Sequence, residues 1–595
     1  MSETELELCL FLFLYNSNSL GLQLGELLGS IHHTYLRQTL KTFRSPLLGV
    51  IGLLVVVLCS TARGQSTDGA SAVGSNIVRV GDGTTGSDAS FQNKRYLEEI
   101  ANARIFFHSL SVGLRYEMDD PSEVGRSFQG LRRRWIAYKK DGLEMQAGNV
   151  TALYGRGLSM NAFESRPINF DSWLDGVYGS YEHSWKEMKE FEPSLRIQGI
   201  AGKLDFFDVD TTKPEMNVSA RSVNVEYGLF QKKVVLGGSF VQAFTSVTES
   251  GNKTTSREVD QPELSLNIIS GEFEGFFQYA VEREVLTSIR NRPDSARMMG
   301  NAMYGSLSYA NTFLGLTFEY KNYKYFVHPT GVDNETYFGK LPISNPPEVY
   351  KEFTYTSITR TTHAVNFNDE LGMELEANIT AIPNVTITLN GAMSSRHNAY
   401  KTLTDKNGIQ IAVDSTALLP KMGDLAFFPF WEAYGEVEYD LGELNYIKGF
   451  FHRRSDVIGY TPSQPGLSDQ RSSTTVGAKL QYETTKSQSM LVIFEHQWMH
   501  DAASLSPDKD FLNELLTLQY SFNPTITFGG LYDFTTEHDV PRHIWPQAFV
   551  SFRIGESHTV LASYGAERGG LNCTGGICRL VPAFNGLRVT LTSQL

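Results

Sequence analysis

From Trp545 to Leu595 the chain alternates apolar and polar side chains, and that alternation narrows the folds open to it. In the final stretch Leu587, Val589, Leu591 and Leu595 share one parity, while Arg588, Thr590, Thr592 and Gln594 share the other. Successive side chains of a strand point to opposite faces, so this is a strand with one apolar and one polar side. Two further alternating runs precede it, Ala548–Arg553 and Thr559–Ser563, joined by the tight turn Gly555–Ser557. A long loop rich in Cys and Gly then leads into the last strand. Short turns at one end, long loops at the other and a closing C-terminal strand are the pattern of a membrane β-barrel.

The same pattern recurs upstream. Ser109–Met118, Leu131–Tyr138 and Leu143–Asn149 alternate, the last two around the turn Lys139–Gly142. Further hairpins turn at Gln231–Lys232, Ser270–Glu272, Ala310–Thr312, Ile382–Asn384, Asp440–Glu443, Thr484–Gln488 and Phe522–Pro524. Amphipathic helices do not interrupt them, which excludes βαβ units. The expected fold is all-β, a transmembrane antiparallel up-and-down β-barrel of about 22 strands, within roughly 18–24. Tyr482, Trp498, Tyr520, Phe522, Tyr532 and Phe534 fall near strand ends, where aromatic girdles sit. A soluble all-β array is the bland alternative.

Composition agrees. Aromatics reach 12% and Gly numbers 52, while hydropathy stays ordinary because the apolar positions are dispersed. The net charge of -14 argues against a nucleic-acid partner. Near the N-terminus, Arg37, Lys41 and Arg44 flank the apolar run Pro46–Leu58, and Ala62 and Gly64 follow. That reads as a secretory signal, too short to span a bilayer. The expected division is therefore an extension plus signal over 1–64, a flexible Ser/Gly/Thr/Asp-rich lead-in over 65–95 and a barrel over 96–595. An energy-coupled plug domain does not fit ahead of the first expected strands. The expected setting is the outer membrane, with its lipid and the barrel-insertion machinery as partners.

Three places carry the candidate functional residues. In the hairpin Trp431–Tyr439 and Leu444–Arg454, one face holds Glu432, Glu436 and Glu438, and the matching face holds Lys448, His452 and Arg454. Glu436 is expected opposite Lys448, and Glu432 opposite His452. Charges face lipid at high cost, so this face lines the lumen, either as a stiffening ion ladder or as a selectivity lining. The stretch Tyr154–Glu182 is too irregular for a strand; Arg156, Arg166, Asp171 and Asp175 are inward-loop candidates there, against a plain surface loop. The third stretch, Tyr323–Glu370, offers Arg360, Asp369 and Glu370. His363 beside them invites a metal or acid–base reading, but the spacing matches no metal or catalytic motif. Neither enzyme activity nor a cofactor nor a metal is expected. Cys573 and Cys578 form an even pair that reads as a small disulfide loop, against two free thiols or half a metal site.

Three segments, GNVTALYGRGLSMNAFESR (Gly148–Arg166), NPPEVYKEFTYTSITRTTHAVNFNDELG (Asn345–Gly372) and RGGLNCTGGICRLVPAFNGLRVTLTSQL (Arg568–Leu595), resemble those of an uncharacterised family of outer-membrane β-barrel proteins from the Bacteroidota and relatives, a domain of unknown function. The resemblance implies a barrel from about Tyr96 onward and assigns no activity. Such barrels usually end in an aromatic residue, and this chain ends in Leu595. The function expected from the sequence is porin-like passage or binding of small hydrophilic solutes. The alternative is a non-conducting barrel serving an envelope or secretion assembly.

Overall fold

The computed structural model describes residues 70–594 apart from 87–90, 120, 124–126, 167–169, 189–190, 208–214, 250–252, 288–295, 326–340, 403–409, 415–416, 461–467, 505–508, 539, 541 and 575–576. The expected extension and signal, 1–64, lie outside the described residues.

Twenty-four strands form one sheet in which every strand is antiparallel to its neighbours. The ring closes because the first strand, Ala70–Thr85, pairs on one side with Gln92–Phe107 and on the other with the last, Phe584–Gln594. Thr85 lies opposite Phe584, and Ser75 opposite Gln594. Closure leaves no unpaired edge, the condition for carrying backbone through hydrocarbon. Among the described residues no helix is long and apolar enough to cross a membrane.

Alternation sorts the side chains as expected. Leu587, Phe451, Val437, Leu389, Leu375 and Phe240 are exposed on the outer face. Arg588 points the other way, bonded to the Tyr96 hydroxyl at 2.7 Å and to Glu123 at 2.7 Å. Tyr482, Trp498, Phe522 and Tyr532 are also exposed, and Tyr520 and Phe534 are half-buried. Tight turns gather at one end, at 141–142, 271–272, 383–384 and 555–557, and the long connections gather at the other. Strand lengths run from 8 residues in Leu143–Val150 to 18 in Lys253–Ser270. A tilted span needs about 9–11 residues, so the longest strands carry the wall beyond the hydrocarbon.

The wall starts earlier than the sequence suggests. Ala70–Thr85 lies in the stretch expected to be a lead-in, yet it is the strand that closes the ring. Its Ser, Gly and Asp content reads as loop, but strand propensity is weak beside pairing on both sides.

The charged hairpin also differs in register. Lys448 lies opposite Glu438, Phe450 opposite Glu436, His452 opposite Tyr434 and Arg454 opposite Glu432. The strands meet again at Gly442 and Asn445, and an irregularity between Asp440 and Gly442 takes up one residue, so the net pairing differs by two residues from the expected one. An even shift leaves every side chain on its face, so only the partners change.

Candidate functional site

Strands about 4.8 Å apart and tilted by roughly 40° would enclose a round ring about 45–50 Å across. Side chains alone do not fill that width. Two connections at the long-loop end fold into it instead: a first loop, residues 151–166 and 170–173, and a second, residues 341–369.

The first loop begins where Val150 ends its strand. Gly155 and Gly157 have φ of 52° and 90°, a region that favours glycine. They let the backbone lie close to its surroundings: a Cβ on Gly157 would sit 2.8 Å from the Asn345 carbonyl oxygen. The Arg156 amide donates to Gln278 at 2.7 Å, and the Ser159 amide to Glu263 at 3.0 Å. The Tyr154 hydroxyl meets that of Ser222 at 2.9 Å. Tyr154 and Met160 are fully buried against small and branched residues of the wall, and Leu158 is fully buried in a second cluster with Ala280, Ala302, Tyr304 and Tyr323.

The second loop meets the first at its own start. Asn161 and Asn345 bond reciprocally, side-chain amide to backbone carbonyl, at 2.9 and 2.8 Å. Ser344 adds a bond to the Leu158 carbonyl at 2.7 Å. From there the loop runs along a different part of the wall. Lys351 pairs with Glu376 at 2.6 Å, and the Tyr355 hydroxyl donates to Glu436 at 2.8 Å. Tyr355 also stacks on Phe450, with ring centres 3.8 Å apart. A single helical turn, Thr356–Thr359, presents the amides of Thr356 and Ser357 to the Glu495 carboxylate at 3.1 and 2.7 Å.

The loop ends in a buried charge cluster. Lys321 and Glu370 pair at 2.5 Å. His363 lies between Asp456 at 2.9 Å and Glu370 at 3.4 Å, stacked on the Phe430 ring. Burial pulls the His363 imidazole down, but the carboxylates of Asp456 and Glu370 outweigh it and hold it up at about 9. Asp369 is pushed up by burial, yet bonds from His397 and Asn398 keep it below its ordinary value.

The structure places each expected site residue. Glu432 is buried and bonded to Arg454 at 2.9 Å, with His452 at 3.4 Å. Lys448 sits between Glu436 and Glu438. Arg166 pairs with Glu117 at 2.8 Å, Asp171 with Arg133 at 2.6 Å, and Arg360 with Asp533 at 2.5 Å. The exposed Arg156 guanidinium lies 5.1 Å from the centre of the Phe276 ring. Asp175 is a correction. It belongs to the wall strand Leu174–Ser184, on the face opposite the buried Leu174, and pairs with an exposed Arg134 at 3.0 Å. It points outward at the long-loop end of its strand. Cys573 and Cys578 are register partners in a short hairpin, Gly570–Thr574 with Ile577–Val581; their side chains lie outside the described ones.

Several anchors escape a reading by motif: Glu263, Gln278, Lys321, Asp456, Glu495 and Asp533. One signal does mark them. Each is polar on the inward parity of an otherwise apolar-faced strand. Among the described residues no group of three or more His, Cys, Asp or Glu could hold a metal ion.

No curated protein matches the chain. Solved structures similar to it include the siderophore receptor PirA from Pseudomonas aeruginosa, at 10% identity over 89% of this chain and 81% of that one, with a TM-score of 0.39. The copper transporter OprC matches at 8% identity over 90% and 82%, also with a TM-score of 0.39. The FrpB iron transporter from Neisseria meningitidis matches at 8% identity over 88% and 81%, again at 0.39. Likeness this distant is no argument about function. A family model described as "Family of unknown function (DUF6029)" matches residues 53–595, most of the chain, and the chain belongs to that family.

Proposed function

We propose that this chain is an outer-membrane barrel of the transport type, passing or binding small hydrophilic solutes through a lumen that two of its own loops narrow. The observation that carries the reading is the pair of loops 151–173 and 341–369, joined at Asn161 and Asn345 and tied to opposite stretches of a closed wall. An apolar outer face suits lipid, while the inward face is polar and charged, as an aqueous path requires. Glu436, Glu438 and Lys448 lie on that path, and Glu432, His452 and Arg454 stiffen the wall behind the second loop. Chemistry is not part of the reading. The Cys573–Cys578 hairpin is read as oxidised, which mass spectrometry checks as a loss of two hydrogens.

The dense bonding of both loops also favours a second reading, a silent barrel that serves as a partner's scaffold. Planar-bilayer recording of the purified chain separates the two. Steady conductance, small for so wide a ring and raised by removing loop 341–369, supports the solute path. A silent barrel that stays silent after that deletion supports the scaffold.

A further inference from the structure

The second loop is built of two unlike halves, and they meet at a strained residue. Residues 341–349 are packed almost throughout: Ile343 is fully buried, and Leu341, Ser344, Asn345 and Val349 are each under 5% exposed. This half is clasped by Asn161 and Leu158 of the first loop, and Tyr323 donates to the Pro347 carbonyl at 2.8 Å. Residues 350–363 lie differently. Glu352 and Thr354 are exposed to the lumen, while Tyr355 and Ile358 face the wall. This half rests on other strands, through Tyr350 against Phe430, Phe353 against Tyr434 and Tyr355 against Phe450. Its far end is tied by charge, at Glu495, Asp533 and Asp456.

The joint between the halves is Val349, with φ of 57°. A β-branched side chain in the left-handed region crowds its own backbone, and such a residue persists only where its surroundings hold it there. Pro346 and Pro347 stiffen the chain just before it. A rigid packed base, a strained pivot and an arm open on one side make a hinged strap.

We infer that Val349 is the pivot of a strap, residues 350–363, that swings off the wall to widen the lumen while residues 341–349 stay fixed. Strain at Val349 raises the energy of the closed position and so favours opening. The far-end ties, Arg360 to Asp533 and the helix amides to Glu495, hold the strap shut.

This rests on the reading of the loops as the restriction in the lumen, and its test does not depend on conductance. Hydrogen exchange on the full chain in lipid vesicles should show amides of 350–363 opening at least tenfold faster than those of 341–349. Val349→Gly accepts the positive φ without strain but also removes a buried side chain from the base, so it should slow exchange in 350–363 relative to that in 341–349 by about tenfold, the scale of a strained backbone residue. Arg360→Ala should speed it while leaving 341–349 unchanged. In bilayer recording, Val349→Gly should lower the open fraction and Arg360→Ala raise it. Equal protection of the two halves overturns the hinge, even in a conducting barrel. So does a Val349→Gly chain that folds but exchanges as the parent does. A silent barrel with a fast strap keeps the hinge and sinks the solute path instead.

Discussion

The two loops inside the ring are held in opposite ways. The first loop draws on strands to either side of it in sequence, reaching forward to Glu263 and Gln278. Its carboxylates meet arginines of neighbouring wall strands, Glu164 with Arg115 at 2.6 Å and Asp171 with Arg133 at 2.6 Å. Loop 341–369 reaches far in sequence, to Glu495 and to Asp533, 173 residues beyond Arg360. The first loop can seat once the strands through Gln278 stand, whereas the second waits for the wall out to Asp533. A change in the second loop should therefore be felt as far as Asp533, and a change in the first should reach no further than the strands through Gln278 and the contact with the second loop.

The largest effect should come from Glu370→Ala. It leaves Lys321 fully buried without its carboxylate, and breaking such a pair costs about 3–5 kcal/mol. Denaturant unfolding should show that loss together with faster exchange at 350–369; a change below about 1 kcal/mol would contradict the reading of a buried charge pair that anchors the loop's end. Gly157→Ala ranks next. The new Cβ needs a strained φ and meets the Asn345 carbonyl oxygen at 2.8 Å, so about 1–3 kcal/mol is expected. Protease cutting should appear at the contact of the two loops, and an unchanged digest would break the account of the clasp.

The third prediction concerns pH. The folded value of His363, about 9, lies above its unfolded value of about 6.5. Its contribution is therefore full below about 6.5 and is lost as pH rises through about 9. The second loop should loosen over that window, and His363→Gln should flatten the profile. Loosening that persists in His363→Gln would assign the effect to another group. The smallest effect should come from Asp175→Asn. The pair with Arg134 is more than half exposed on both sides, and such surface pairs are worth about 0–1 kcal/mol. Asp171→Asn, inside the barrel, should cost clearly more. Equal costs for the two would erase the distinction between outward and inward carboxylates.

Much of the wall can be read from the chain because its signal is local. The Leu587, Val589 and Leu591 row and the turns at Lys139–Gly142 and Ser270–Glu272 are short-range patterns with a period of two. Register is harder: the turn after Gly442 and the irregularity near Asp440 together moved the partners of Lys448 and His452 without changing their face. Ala70–Thr85 escaped because composition, not alternation, dominates a stretch of Gly, Ser and Thr. The loop ties escaped for a different reason. Whether Arg360 meets Asp533 depends on which strands stand beside each other after closure, and nothing near Arg360 in sequence records that. Parity still marks one partner of each tie, since Asp533 and Glu495 interrupt the inward faces of strands whose outward faces are apolar.

The joint between the first strand and the last has a consequence for manufacture. Thr85 donates to the carbonyl of Ala583, 498 positions further on. Residues 75–85 therefore have no permanent neighbour on one side until the strand Phe584–Gln594 has been made, and the nascent chain must be kept from pairing with strangers until then. A stop codon anywhere before the final strand would yield a sheet with two raw borders, a species fit for degradation rather than a slightly narrower barrel.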